Sequence, residues 1–123
     1  MQRTFLKTKL HRATITSADL NYEGSISLGR ELCRAAGLLE FEQVDIYDIT
    51  NGARFTTYVI YGEPGQVQIN GAAARLVQPG DRIIVAGYIH LDADEVAGHV
   101  PRVVLLGEKN AIHSVEDKCI NQP

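Results

Sequence analysis

The side chains that could do chemistry fall in three short segments of the first half of the chain. Together these segments contain basic side chains that could bind an anion, a serine hydroxyl that could act as a nucleophile, and phenols that could carry a proton. These residues are Lys9 and His11 in the first segment, Tyr22, Gly24 and Ser25 in the second, and Arg54, Thr57 and Tyr58 in the third.

Each of these residues also has an ordinary structural interpretation. A Gly-Ser pair such as Gly24-Ser25 is typical of a loop in which the glycine supplies a positive φ. A lone Arg54 or Lys9 is usually a solvated charge on a strand. His11 either orients its neighbours or is a satisfied strand histidine, and the sequence leaves both open. The other three histidines have no metal-ligand spacing to cysteines or carboxylates, so we expect no metal.

The elements that must position these residues are mostly strands. Residues 4–16 alternate apolar and polar side chains, which predicts a strand that carries Lys9 and His11 on one face. Residues 43–50 and 53–61 form two more strand patterns, and the Asn51-Gly52 between them is a strong hairpin signal. Many short strands separated by turns indicate a closed β-barrel-like domain.

A short helix and a tail complete the predicted organisation. Ser27 is a candidate N-cap for a helix over residues 28–36, and Gly37 could end that helix. We expect residues 1–107 to form a single domain. The apolar periodicity is lost from residue 108, so residues 108–123 are predicted to be a loosely ordered tail.

Composition excludes several classes of protein. A chain of 123 residues and 13.5 kDa has the size of one domain, which excludes a two-domain enzyme. A net charge of −3 argues against a nucleic-acid binder, for which a basic face is expected. No stretch approaches the length of a membrane span, and we expect no signal peptide. Cys33 and Cys119 form no CxxC motif, so two free thiols in the cytoplasm are expected.

Six motifs stand in order along the chain. They are Lys9-Leu10-His11-Arg12, Ala18-Asp19-Leu20-Asn21-Tyr22-Glu23-Gly24-Ser25, Asp45-Ile46-Tyr47, Thr50-Asn51-Gly52-Ala53-Arg54-Phe55-Thr56-Thr57-Tyr58, Asn70-Gly71-Ala72-Ala73-Ala74 and Gly80-Asp81. With these motifs in this order, the chain resembles the bacterial aspartate 1-decarboxylases, a pyruvoyl-dependent family. The resemblance covers residues 1–107 and implies a mainly β fold, a double-psi β-barrel with one or two short helices, assembled as a homotetramer.

The resemblance also implies how the chain matures and acts. The proenzyme would cleave itself between Gly24 and Ser25 into chains 1–24 and 25–123, with Thr57 polarising the Gly24 carbonyl. Ser25 would become a covalent pyruvoyl cofactor that forms a Schiff base with L-aspartate. After loss of CO2, Tyr58 would donate the proton that completes β-alanine, the precursor of pantothenate and coenzyme A.

The resemblance further implies a set of substrate contacts. Two cations would bind the carboxylates, and the backbone of the small-residue segment would contact the same anion. The implied contacts are Lys9, Arg54, Thr57, Gly71, Ala72 and Ala73, supported by His11, Tyr22 and Asn70. In a regular strand Arg54 and Tyr58 share a face that Thr57 does not. All three could serve one site if the strand bulges or if the site wraps around its edge. A site between subunits, with Arg54 of one chain and Ser25 of another, would also resolve this, and it is the arrangement we expect.

Two other interpretations stay open. The same self-processing chemistry could serve another acidic amino acid, such as glutamate. Alternatively, the chain could be a non-catalytic barrel used for binding, in which the Gly24–Ser25 peptide bond stays uncut. Some members of the family need a helper protein for maturation, and the sequence does not say whether this chain does.

Overall fold

The computed structural model describes residues 1–121 and 123. In this part of the chain there are nine strands, one α-helix and three short 3₁₀ helices. The strands are β1 (Gln2–Thr14), β2 (Ser17–Asp19), β3 (Ser25–Gly29), β4 (Gln43–Asp48), β5 (Arg54–Gly62), β6 (Val67–Asn70), β7 (Arg82–Asp92), β8 (Arg102–Leu106) and β9 (Ile112–Asp117). The α-helix, α1, is Arg30–Ala36, and the 3₁₀ helices are Gly71–Leu76, Ala93–Gly98 and Glu108–Asn110. The prediction of a mainly β fold with few short helices is confirmed.

The strands join into one sheet with the order β2-β6-β3-β5-β4-β7-β1-β8-β9. The neighbours β2 and β6, β3 and β5, and β1 and β8 run parallel, whereas the remaining neighbours run antiparallel. Parallel neighbours need crossover connections, which hairpins cannot supply. This mixed sheet is consistent with a double-psi β-barrel, although hydrogen bonds between the described residues do not close it.

The core is built from alternate residues of the long strands. Leu10, Ile26, Ile46, Val59 and Val85 are all fully buried. Because side chains alternate along a strand, the residues on either side of these positions in β1, β4 and β5 face outward. That outward face carries the predicted basic residues.

The predicted hairpin is confirmed. Strand β4 ends at Asp48, β5 begins at Arg54, and the two strands pair antiparallel. Gly52 has a φ of 81°, which a residue with a side chain rarely adopts. The buried Asp48 carboxylate closes the turn, because its Oδ1 accepts the backbone N–H groups of Thr50 at 2.8 Å and Asn51 at 3.1 Å.

The helix α1 begins at Arg30, so the prediction that Ser27 caps a helix starting at residue 28 is wrong. All five residues of β3 are buried, and the backbone stays extended through Gly29 because this strand pairs on both sides. The predicted end is confirmed, since Gly37 follows α1 in the left-handed conformation with a φ of 73°. Among the described residues, no helix has the length and apolar character needed to span a membrane.

The segment predicted as a loose tail is largely regular. Strand β9 pairs antiparallel with β8 at the edge of the sheet. The buried Asn110 anchors the preceding turn, because its Nδ2 donates to the carbonyl oxygens of Thr14 at 2.9 Å and Gly65 at 3.0 Å. Side chains on both faces of β9 are exposed, so its sequence has no apolar alternation to indicate a strand. The predicted tail also includes residue 122, which lies outside the described residues.

Candidate active site

Ser25 is the first residue of β3, between β5 and β6. It is buried, with 1% of its surface exposed, whereas Gly24 before it is exposed. The Ser25 Oγ donates a hydrogen bond to the Glu23 carbonyl oxygen at 2.9 Å. The hydroxyl is therefore held beside the Gly24–Ser25 peptide group and shielded from bulk water.

Asn70 is the side chain that holds this hydroxyl. It ends β6, lies opposite Ser25 in the antiparallel register, and is fully buried. Its Nδ2 donates to the Oγ atoms of Ser25 and Ser27, each at 3.0 Å. Asn70, predicted as a supporting residue, thus contacts the proposed nucleophile directly.

Gly71 brings the small-residue segment 71–74 close to Gly24, the residue before Ser25. It has a φ of 75°, and a Cβ at this position would lie 2.6 Å from the Gly24 Cα and 2.8 Å from the Gly24 nitrogen. Only glycine permits this approach. Gly71 opens the 3₁₀ helix Gly71–Leu76, in which Ala72 is exposed and Ala73 half-buried.

A cleft of about 310 Å³ opens beside Ser25. Among the described residues that line it are Tyr22 and Tyr58, which were predicted, and two carboxylates but no basic side chain. Its lining consists of Tyr22, Glu23, Ser25, Glu40, Phe41, Tyr58, Ile60 and Tyr61. Tyr58 also borders a second cleft, of about 500 Å³, together with Phe41, Gln43, Thr56 and Thr57. The structure therefore brings Tyr22, Tyr58 and Ser25 to one cleft, and Thr57 to its neighbour.

Lys9, His11 and Arg54 lie elsewhere, on the outward face of the sheet. The strand register aligns His11, Ile84, Tyr47 and Arg54 in one row across β1, β7, β4 and β5. Directly paired residues point to the same face of a sheet. Lys9 lies two residues from His11 on the same strand, so the three basic residues share this face, and none of them lines the Ser25 cleft.

The surroundings of His11 favour its neutral form. Its pKa is lowered by burial, and further by the nearby positive charges of Lys9 and Arg12. Its Nδ1 is buried and has no hydrogen-bond partner among the described residues. The Nδ1 of His11 is therefore available for a hydrogen bond, close to the positive charges of Lys9 and Arg12.

An aromatic pair holds the Arg54 guanidinium in place. The Arg54 Cζ lies 4.1 Å from the centre of the Tyr47 ring, and the Tyr47 and Tyr88 hydroxyl oxygens are 2.7 Å apart. That hydrogen bond, together with burial, raises the pKa of Tyr88 to about 12. The Tyr47 hydroxyl also donates to Asp45 Oδ2 at 3.4 Å. Tyr47 belongs to the Asp45-Ile46-Tyr47 motif, for which the sequence predicts no role, because only the strand register places Tyr47 beside Arg54.

Within residues 1–121 and 123, one group of acidic side chains lies near enough together to suggest a metal. Asp92, Asp94 and Glu95 are all exposed. Glu95 already has a structural role, because its Oε1 accepts the Asp92 backbone N–H at 2.8 Å at the start of a 3₁₀ helix. The expectation that the chain needs no metal stays a prediction.

The domain is mainly β, with a buried serine after an exposed glycine, a phenol in the adjacent cleft and a face of basic residues. These are the features expected of a small β-barrel enzyme that acts on an anionic substrate. The model of the family described as "Aspartate decarboxylase" matches residues 1–113. The chain belongs to this family, and the predictions of the family and of an enzyme are confirmed.

The relatives cover nearly the whole chain. The "Aspartate 1-decarboxylase" of Maricaulis maris is 56% identical over 114 residues, which are 91% of this chain and 94% of that protein. The protein of the same name from Caulobacter vibrioides is 55% identical, with 91% and 97% covered. That from Bdellovibrio bacteriovorus is 54% identical over 112 residues, with 91% and 90% covered.

Proposed function

We propose that this chain cleaves itself between Gly24 and Ser25, and that the residue left at position 25 decarboxylates L-aspartate to β-alanine and CO2. The observation that carries the proposal is the buried Ser25 hydroxyl, held by Asn70 next to Gly24, whose Cα and nitrogen lie close to Gly71. The names of the relatives support the substrate.

Self-cleavage starts with attack of the Ser25 Oγ on the Gly24 carbonyl carbon. The new C–O bond replaces the peptide C–N bond, the hydroxyl proton passes to the nitrogen, and an ester forms. Gly24 offers no Cβ to hinder the attack, and no atom outside its chain neighbours lies within 4 Å of where a Cβ would stand. By the family resemblance, Thr57 polarises the Gly24 carbonyl and stabilises the charge that develops on it.

The ester is then broken by elimination. The proton on the Cα of residue 25 leaves to water and Gly24 departs as a carboxylate, which releases residues 1–24. The elimination leaves dehydroalanine, whose enamine becomes an imine when a proton moves from its nitrogen to its Cβ. Water adds to this imine and ammonia leaves, so that residue 25 becomes a pyruvoyl group on chain 25–123.

The residues around position 25 fit a pyruvoyl group. Ser25 has a buried donor, Asn70, and a cleft of about 310 Å³ beside it with room for a small substrate. The group would supply a ketone that condenses with the substrate amine and withdraws electrons as the α-carboxylate leaves. Tyr58 is the proposed proton donor because its phenol lines the same cleft and a phenolic hydroxyl can donate a proton. Tyr22 forms another part of the cleft wall.

The carboxylates of the substrate need cations that the Ser25 cleft lacks among its described lining residues. Glu23 and Glu40 line this cleft and would repel a dicarboxylate, whereas Lys9 and Arg54 lie on the outward face. We therefore propose sites between subunits, in which Lys9 and Arg54 of one subunit face Ser25 of another, within the homotetramer that the family resemblance implies. Gly71, Ala72 and Ala73 would contact the substrate through their backbone, and His11 would accept or donate a hydrogen bond through its unused Nδ1.

A mixing experiment tests the shared site. Ser25→Ala and Arg54→Ala subunits, unfolded together and refolded, should recover part of the wild-type activity, because some sites then combine an intact Ser25 with an intact Arg54. Each variant refolded alone provides the baseline. Absence of recovery in mixed tetramers would contradict sites between subunits.

Intact-protein mass spectrometry tests the self-cleavage. We expect fragments 1–24 and 25–123, the second lighter by one ammonia than a chain that starts with serine. Ser25→Ala should stay uncut, whereas Ser27→Ala, which removes the other hydroxyl bound by Asn70, should be cut. A wild-type chain that stays whole, alone and after incubation with a lysate that could supply a maturation protein, would favour the non-catalytic barrel.

A substrate panel decides between aspartate and glutamate, because the longer side chain shifts the distal carboxylate by one methylene group. We infer a cytoplasmic enzyme that supplies β-alanine for pantothenate and coenzyme A synthesis. The free thiols of Cys33 and Cys119 support a reducing compartment.

A further inference from the structure

A continuous row of hydrogen-bonded polar side chains runs along β6, from the turn before this strand to the Ser25 hydroxyl. Gln66, Gln68 and Asn70 alternate along β6 and the turn before it, so they share one face. The Gln66 Nε2 donates to the Gln68 Oε1 at 3.3 Å, and the Gln68 Nε2 donates to the Asn70 Oδ1 at 2.6 Å. Ser17 adds a second donor to the Gln68 Oε1, at 2.6 Å.

The direction of every bond in this row follows from its first member. The Glu63 backbone N–H can only donate, and it donates to the Gln66 Oε1 at 2.8 Å. The Gln66 amide therefore turns its nitrogen toward the Gln68 Oε1. By the same logic, Gln68 turns its nitrogen toward the Asn70 Oδ1, which leaves the Asn70 Nδ2 to donate to Ser25.

The far end of the row has the same polarity. The Glu23 carbonyl oxygen can only accept, and it receives the Ser25 hydroxyl proton. A reversed Asn70 amide would present an oxygen to Ser25 and compete for that proton. The orientation of the proposed nucleophile thus depends on Gln68, which does not contact Ser25 itself.

We propose that Gln68 is a positioning residue for self-cleavage: it fixes the Asn70 amide so that its nitrogen holds the Ser25 hydroxyl. This inference rests on the proposed cleavage at Gly24–Ser25. It concerns the maturation step, because the hydroxyl that Asn70 holds is consumed when the chain is cut.

The substitution Gln68→Glu tests this role through pH. A carboxylate at position 68 still accepts from Ser17 but has no proton to donate to Asn70, so the amide should reverse. A protonated carboxyl group can donate again. We expect cleavage about tenfold slower than wild type at neutral pH, equivalent to about 1.4 kcal/mol. The ratio to the wild-type rate should rise toward one as the pH falls.

The side chains in contact with position 68 do not add a pH dependence of their own to this test. The side chains that hydrogen-bond to Gln68, or pair with it across the strands, are Ser17, Ser27, Gln66 and Asn70, and none of them titrates. Any new pH step then arises from the introduced carboxyl group. The matched control is Gln78→Glu, the same change at an exposed position, which should follow the wild-type rate at every pH.

Cleavage is followed by intact mass after dilution from denaturant, with circular dichroism as the check on folding. If Gln68→Glu does not fold, Gln68→Met carries the test, and its rate should be reduced by a factor that does not vary with pH. A folded Gln68 variant that is cut at the wild-type rate at every pH overturns the inference and leaves the proposed function intact. A wild-type chain that is never cut overturns both.

Discussion

The substitution Gly71→Ala should separate self-cleavage from folding. In the native conformation, the added Cβ would lie 2.6 Å from the Gly24 Cα, 2.8 Å from its nitrogen and 3.3 Å from the Tyr22 carbonyl oxygen. Carbon atoms in ordinary contact are about 3.5–4.0 Å apart, so the backbone at Gly24 has to move by roughly 1 Å. This movement displaces the scissile carbonyl relative to the Ser25 Oγ.

The size of the effect follows from two separate terms. A side chain at a φ of 75° costs about 1–2 kcal/mol of folding free energy. The displacement of the reacting atoms by about 1 Å costs about 10²-fold in rate. We expect a folded variant that is cut about a hundredfold more slowly than wild type.

A second glycine provides the control. Gly37 has a φ of 73°, and no neighbouring atom lies within 4 Å of the position that a Cβ would take there, so Gly37→Ala has the backbone cost without the contact. Urea unfolding should show a loss of stability in both variants, larger in Gly71→Ala because the contact with Gly24 adds to the backbone cost, and intact mass over time should show slow cleavage in Gly71→Ala alone. Cleavage of Gly71→Ala at the rate of Gly37→Ala would refute the reasoning.

Three further predictions concern other groups of the fold. Tyr47→Leu should raise KM for aspartate about two- to fivefold with kcat little changed, because a cation–π contact with Arg54 is worth about 0.5–1 kcal/mol, whereas Tyr47→Phe should keep KM within twofold. In an NMR titration the pKa of His11 should lie below 6.5 and rise when succinate is added, because carboxylates bound near Lys9 favour the imidazolium; an unchanged pKa would contradict binding there. Burial and Asp81 raise the pKa of Asp48, so the protonated carboxyl group stabilises the fold, and this stabilisation is lost as pH rises through the folded-state pKa. Denaturation at several pH values should therefore show Asp48→Asn gaining stability relative to wild type from acid to neutral pH. A stability difference that stays constant with pH would contradict this.

Local patterns predicted the parts of the fold that depend on neighbouring residues. The hairpin between β4 and β5 follows from alternation and Asn51-Gly52, and the end of α1 follows from Gly37. The start of α1 could not be predicted in this way. Ser27 has the side chain of an N-cap, but in the folded chain Asn70, 43 residues away in sequence, donates to its hydroxyl. A long-range contact decided between strand and helix at this position.

The candidate site could be predicted as a set of residues, but the sequence could not show which of these residues lie next to one another. The resemblance gave Ser25, Asn70 and Arg54, while the register that aligns His11 with Tyr47 and Arg54 depends on pairing between β1, β7 and β4. Strand β1 contains two register shifts, between Leu6 and Thr8 and between His11 and Ala13, and alternation in the sequence does not reveal them. Residues from distant strands could not be placed in one row without the structure.

In the proposed function, position 25 serves two reactions with different requirements, and we infer that the fold meets them from different sides. Self-cleavage needs a buried, oriented hydroxyl, which Asn70 and Gly71 supply from β6 and the 3₁₀ helix that follows it. Turnover needs a cleft that admits a dianion and cations that bind it. A cleft opens beside Ser25, but the described residues that line it include no basic side chain. Substitutions on the β6 side should therefore change the rate of cleavage, and substitutions of Lys9 or Arg54 should change turnover in chains that are already cut. Tyr58, the proposed proton donor in turnover, borders both the Ser25 cleft and the cleft lined by Thr57, which is proposed to act in cleavage, so substitutions of Tyr58 should be assayed for both reactions.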